Sequence, residues 1–124
     1  MPIRLTVYRP DRLLVCVASG VIAVADLEDL LRQLDEGDLH RFRKIIDVSA
    51  ARPGLSADEL ATFSIALLAR LKDKPRGVMA IVADNKLDQL ARLFAGLTGT
   101  DRPAQVFRSI HDARKWISTS AFPR

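Results

Sequence analysis

Five short apolar blocks punctuate the chain, at residues 3–8, 13–18, 45–48, 78–83 and 106–107. After the second block they are separated by amphipathic stretches of helical length. In Ile3-Arg4-Leu5-Thr6-Val7-Tyr8 the apolar side chains alternate with Arg4 and Thr6, which predicts a half-buried edge strand. Arg9-Pro10-Asp11-Arg12 has turn chemistry, so the next block should pair antiparallel with the first. Leu13-Leu14-Val15-Cys16-Val17-Ala18 and Val78-Met79-Ala80-Ile81-Val82-Ala83 are apolar on both faces, as expected of interior strands. Residues 42–47 predict the third strand and residues 104–108 a short fifth one at an edge.

Between the strands the period changes to that of helices. Ser19-Gly20 is expected to break the second strand, and residues 26–34 then place Leu27, Leu30, Leu31 and Leu34 on one face, with Asp26 as N-cap and Gly37 as terminator. Ser49-Ala50-Ala51-Arg52-Pro53-Gly54 is expected to be a loop, with Gly20 and Gly54 as turn residues. Ser56-Ala57-Asp58-Glu59 is a capping box that opens a helix bearing Leu60, Phe63, Leu67, Leu68 and Leu71 and stopping before Pro75. Asp84-Asn85 offers a cap for a third helix with Leu87, Leu90, Leu93, Phe94 and Leu97, closed by Gly99. Ser109, with Asp112 at N3, caps a last helix that packs Ile110, Ala113, Trp116 and Ile117 inward, and residues 118–124 are expected to be a frayed tail.

These elements define an α/β fold with a single open, mixed five-stranded sheet and four helices. The first strand is antiparallel, and strands two to five are parallel in a right-handed β-α superhelix. With 124 residues and no linker or repeat, residues 1–124 are expected to form one domain.

Composition sharpens this picture little. Aromatic residues make up only 6% of the chain, so the core is mainly Leu, Val, Ile and Ala. The single cysteine, Cys16, falls inside a strand pattern and is expected to be a buried structural thiol. The amino terminus lacks the layout of a secretion signal, and no apolar run approaches the roughly 20 residues that span a bilayer. The expectation is a cytoplasmic protein without stable membrane insertion. A net charge of +4 raises the question of polyanions. The dense basic clusters, Arg41-Phe42-Arg43-Lys44 and Arg70 to Arg76, each precede a strand and are expected to form a solvated rim. No nucleic-acid-binding signature accompanies them, so no nucleic-acid partner is expected.

In an open α/β sheet, the loops leaving the carboxyl ends of parallel strands share one rim, where ligands and partners bind. Here that rim gathers Ser19, Gly20, Asp47, Ser49, Arg52, Asp84 and Asn85. Asp47 is a candidate functional carboxylate or a local bond to loop amides, and Asp84 and Asn85 are candidates for the rim or for helix caps. Enzymatic motifs are missing. The two histidines, His40 and His111, have no paired nucleophile nearby in sequence. No zinc spacing, phosphate-binding glycine loop or nucleophile elbow occurs. No catalytic residue, metal or cofactor is therefore assigned. An exposed edge or uncovered sheet face would invite a second copy of the chain.

The order of elements, the strand end Ile45-Ile46-Asp47-Val48-Ser49, the helical Ala91-Arg92-Leu93-Phe94 and the final Val106-Phe107-Arg108-Ser109-Ile110-His111-Asp112-Ala113-Arg114-Lys115-Trp116-Ile117 resemble SpoIIAA-like proteins of the STAS and SEC14-related superfamily. The resemblance spans roughly residues 3–117. It implies a non-enzymatic regulatory or protein-interaction domain of the anti-sigma factor antagonist type, with a regulatory kinase or sigma-factor regulator as partner. Such antagonists carry Asp-Ser-Ser or Asp-Ser-Thr after the third strand, where this chain has Asp47-Val48-Ser49. Ser49 is thus the implied phosphorylation position, with a helix amino terminus and Arg52 expected nearby. The lipid-binding relatives imply the alternative, a small apolar ligand held between sheet and helices.

Overall fold

The computed structural model describes residues 2–99 and 103–119. The elements follow in the order β1 (Ile3–Tyr8), β2 (Leu13–Ile22), α1 (Val24–Glu36), β3 (Arg43–Pro53), α2 (Ala57–Arg70), β4 (Met79–Val82), α3 (Asp88–Thr98), β5 (Ala104–Phe107) and α4 (Ile110–Thr119). The strands lie in the order β1-β2-β3-β4-β5. Only β1 is antiparallel to its neighbour; the other pairs are parallel. Strand order, direction and helix number agree with the sequence pattern.

The β1–β2 reversal is closed by the Arg12 N–H donating to Arg9 O at 3.1 Å. From β2 onward each crossover joins adjacent strands. Crossovers of one hand deliver their helices to one face of a sheet. That face is covered by α1, α2 and α3, over a core that includes Leu14, Cys16, Ala18, Ile22, Leu30, Leu34, Met79, Ile81 and Ala91. Helix α4 returns beneath β5 and seals the opposite face with Ala113 and Ile117 against Ile45, Val78, Ala80 and Val82. Phe107 and Trp116 pack there with ring centroids 5.6 Å apart. Leu14, Ile45 and Ala80 are fully buried at the centre of these two layers. Each such Leu or Ile side chain contributes about 1.5–3 kcal/mol of transfer free energy. Cys16 is buried as expected, and burial pushes its thiol up to about 12, against the weaker opposing field of Lys44, so it stays protonated and inert.

Four local expectations are corrected. Ser19-Gly20 does not break β2, which continues to Ile22. Gly20 adopts φ +74°, a geometry that other residues strain to reach, and it carries the ladder past a bulge between Val17 and Ser19. Residues 49–53 are strand rather than loop, because β3 continues beside β2 as far as Pro53. Helix α1 begins after Ala23, not after Asp26. The Asp26 carboxylate instead accepts the Ala23 N–H at 2.8 Å, the acidic half of a capping box. Helix α3 begins at Asp88, because Asp84 folds its carboxylate onto the Lys86 N–H at 3.0 Å and holds the chain in a turn first. The capping box of α2 and the Ser109 cap of α4 are present as expected. Helix α4 extends through Ser118 and Thr119, and the rest of the expected tail lies outside the described residues.

Gly77 marks the tightest backbone approach. Its N–H donates to His40 O at 2.9 Å, and a Cβ placed there would lie 2.1 Å from Phe42 O. Gly77→Ala should therefore lose about 3 kcal/mol in urea unfolding. Gly96→Ala, where a Cβ meets nothing within 4 Å on an exposed helix face, should gain up to about 1 kcal/mol. Equal midpoints for the two variants would contradict this packing.

Candidate functional site

The parallel registers place Val17, Asp47, Val82 and Phe107 in one row across the sheet. The residues that follow them form a common rim, so Asp47, Ser49, Asp84 and Asn85 lie at the same end of the sheet. Asp47 Oδ1 accepts both the Ser49 N–H at 3.0 Å and the Ser49 hydroxyl at 2.6 Å. Its position at the strand end is thus explained by a local bond. Asp84 is engaged with Lys86 as above, and Asn85 Oδ1 accepts from Arg108. Arg108 also lies 3.6 Å from Asp88, which pairs with Arg92 Nε at 2.9 Å. These contacts tie the β4 end to the β5 end.

Ser19, Gly20 and Arg52 are placed further out than a loop would put them. Beyond the bulge, Ser19 pairs with Ala50, Gly20 with Ala51, Val21 with Arg52 and Ile22 with Pro53. This two-stranded parallel ribbon projects past the last paired residue of β4, since Asp47 already faces Val82. The Gly54 N–H closes it on Ile22 O at 2.8 Å. One side of the ribbon buries Ile22 and Ala51 in the core. The other exposes Val21 at 54% and, just before the bulge, Val17 at 42%, beside exposed Ser19, Ala50 and Arg52.

Sequence reasoning missed Val17 and Val21. Their signal was the period-2 alternation of β2 continuing through Ser19-Gly20, which turn chemistry overrode. The expected helix amino terminus near Ser49 is also corrected. Helix α2 starts at Ala57, after the extended end of β3. The Ser56–Glu59 box already occupies its first amides, with Glu59 N–H to Ser56 Oγ at 3.1 Å and Ser56 N–H to Glu59 Oε1 at 2.9 Å.

A second concavity lies under the helices. A cavity of about 160 Å³ separates the sheet from α1, α2 and α3, walled by side chains such as Ile46, Leu60, Leu67, Met79, Ala91 and Phe94. Its polar lining is His40, Lys44 and Arg76. Lys44 and Arg76 are only 3% and 8% exposed, which corrects the expectation that both basic clusters form a solvated rim. Lys44 Nζ donates to His40 O at 2.6 Å and Phe42 O at 2.8 Å, and Arg76 Nη2 donates to Thr98 O at 3.3 Å. Strand alternation carries Lys44 inward with Ile46 and Val48. The basic run around it hid that signal.

Burial, reinforced by the neighbouring Lys44, Lys74 and Arg76 charges and weakly opposed by Asp38, pushes the His40 imidazole down to about 4. It is therefore neutral at pH 7. Its Nε2–H donates to Asp35 Oδ1 at 2.6 Å, and the same carboxylate pairs with Arg70. Among the described residues, no cluster of metal-ligating side chains occurs and no helix is long and apolar enough to cross a membrane.

No family model matches the chain, and no curated protein sequence matches it. Solved structures do. The chain is similar to an uncharacterized protein of the DUF3478 family with a SpoIIAA-like fold from Shewanella loihica PV-4, with a TM-score of 0.61 and 19% identity over 93% of this chain and 91% of that one. It is also similar to an anti-sigma factor antagonist from Mycobacterium paratuberculosis, with a TM-score of 0.58 and 22% identity over 94% of both chains. The fold is SpoIIAA-like, of the kind STAS domains adopt.

Because the imidazole titrates near 6.5 in the unfolded chain and about 4 in the fold, the unfolded state alone takes up a proton between those values. Stability should fall as pH drops through that window. In urea unfolding at a series of pH values, His40→Gln should flatten the slope by about one proton relative to wild type. Identical slopes would contradict a neutral, half-buried His40.

Proposed function

We propose that this chain is a non-enzymatic, STAS-type regulatory domain that docks a protein partner on the rim and ribbon around Ser19, Gly20, Asp47, Ser49, Arg52, Asp84 and Asn85. The supporting observation is the exposure of Val17 and Val21 on the ribbon beside Arg52, together with a fold shared with an anti-sigma factor antagonist. Exposed branched apolar residues flanked by polar ones suit a modest protein interface, in which a few apolar anchors carry most of the affinity. The expected partner is a serine kinase or another sigma-factor regulator, and no cofactor is needed.

Ser49 is the candidate switch. It is exposed, and its hydroxyl donates to Asp47 at 2.6 Å. A phosphate removes that donor and sets a charge of roughly −1.5 to −2 beside the carboxylate. An attraction becomes a repulsion at the base of the ribbon, and a partner that fits one form is disfavoured by the other.

Two measurements test this reading. After incubation with ATP and extract of cells that encode it, intact mass should show one added phosphate on wild type and none on Ser49→Ala. Equal uptake by both removes the switch. Affinity for the kinases and sigma regulators of the same genome, measured by calorimetry, should identify a binder that Val21→Asp weakens by about tenfold or more, or ~1.4 kcal/mol. Lys72→Ala, in the turn after α2, should leave it unchanged. Binding insensitive to Val21→Asp, or no binder at all, rejects the docking surface.

A further inference from the structure

We propose that the outward face of α2 docks against the same face of a second copy of this chain, as an antiparallel helix pair with its two-fold axis near Ile65. From Leu60 to Ala69 the helix carries no charged residue. One side of that stretch is buried through Leu60, Ser64 and Leu67. The other turns outward with Thr62, Ile65, Ala66 and Ala69 exposed, and Ile65 at 61% is more exposed than Val17 or Val21. A helix at the surface of a soluble domain normally carries its charges on the outer side, and one that lacks them there is a helix that something covers. Asp58, Thr62, Ile65, Ala69 and Lys72 follow one another at alternating steps of four and three, the spacing of a two-helix seam.

The ends of this seam select the occupant. Asp58 lies in the first turn of α2 and Lys72 just beyond its last, equally far in sequence from Ile65, and both are exposed. Glu59 is engaged in the capping box and Arg70 with Asp35. A two-fold axis near Ile65 sets the Asp58 of each copy over the Lys72 of the other, so one attraction occurs twice, and it opposes the two helix dipoles favourably. A parallel pair would stack like charge on like. A face that complements itself when turned end to end fits another copy of itself, whereas an anionic lipid surface would meet acidic Asp58 and Glu59 at one end of the apolar patch. With 14 residues, α2 is about 21 Å long. A contact of that length falls below the roughly 800 Å² per partner of a standard interface, so the dimer forms and dissociates with concentration. None of the rim residues lies on α2, and the two surfaces can fail separately.

Sedimentation equilibrium of the full chain, over about a hundredfold range of concentration, tests this. Wild type should pass from monomer to dimer, and Ile65→Asp should stay monomeric throughout. Asp58→Lys should weaken the dimer by about fivefold or more at low salt, because an attraction present twice becomes a repulsion. Adding Lys72→Asp to Asp58→Lys should restore it, and Val21→Asp should leave it intact. A wild type that stays monomeric overturns the proposal, as does a dimer that Ile65→Asp leaves unchanged, which would place the contact elsewhere. A charge swap that fails to restore the dimer rejects the antiparallel pairing. Monomers that sediment with phosphatidylglycerol vesicles unless Ile65→Asp is present would assign the face to lipid instead. Should Ile65→Asp fail to fold, Ala69→Glu on the same exposed face takes its place.

Discussion

The parallel ladder between β2 and β3 is the constraint on which the other features depend. It sets Val17 against Asp47, and through β4 and β5 it carries that row to Val82 and Phe107. Every residue of the rim inherits its position from this register. The same ladder then outruns the sheet. A bulge inserts one more residue on β3 than on β2, Gly20 absorbs the change with a positive φ, and pairing resumes as a ribbon. Sheet and ribbon are therefore one mechanical unit, and a change at Ser49 acts where they join.

The two faces of the sheet are asymmetric for a topological reason. Three crossovers between neighbouring strands deliver three helices to one face, and a single terminal helix remains for the other. Against α4, small residues such as Ala80 and Ala113 close the layer tightly, with both fully buried. On the opposite face, long leucines and Phe94 bridge a wider gap, and the space left between them is the cavity. Lys44 enters it because strand alternation aims the residue two before Ile46 to the same side. The rim and the cavity thus occupy different parts of one architecture.

Most of the fold was legible in the hydrophobic pattern. Doubly apolar blocks marked β2 and β4, the alternating block marked β1, and the Ser56 and Ser109 caps were visible because their chemistry is local. What escaped depends on partners distant in sequence. Ser19-Gly20 has turn composition, yet β3 supplies hydrogen bonds that keep it in strand. Asp26 and Asp84 have cap composition, and each does cap something, but one turn away from the expected place. The placement of Asp47, Ser49, Asp84 and Asn85 at one end of the sheet was legible from topology. The exposure of Val17 and Val21 was not, since exposure of an apolar strand position depends on where α4 stops. The buried ends of the basic clusters were likewise invisible, because composition counts charges without saying which way they point.

The central claim is that β2 and β3 remain paired beyond the edge of β4, giving the rim a rigid arm. Native-state amide hydrogen exchange tests it most directly. The Gly54 N–H, bonded to Ile22 O at 2.8 Å at the outer end of the ribbon, should be protected to a degree approaching the Lys44 N–H bonded to Val78 O at 2.9 Å within the sheet. Exchange of Gly54 at the rate of an open loop, with Lys44 still protected, would contradict the account.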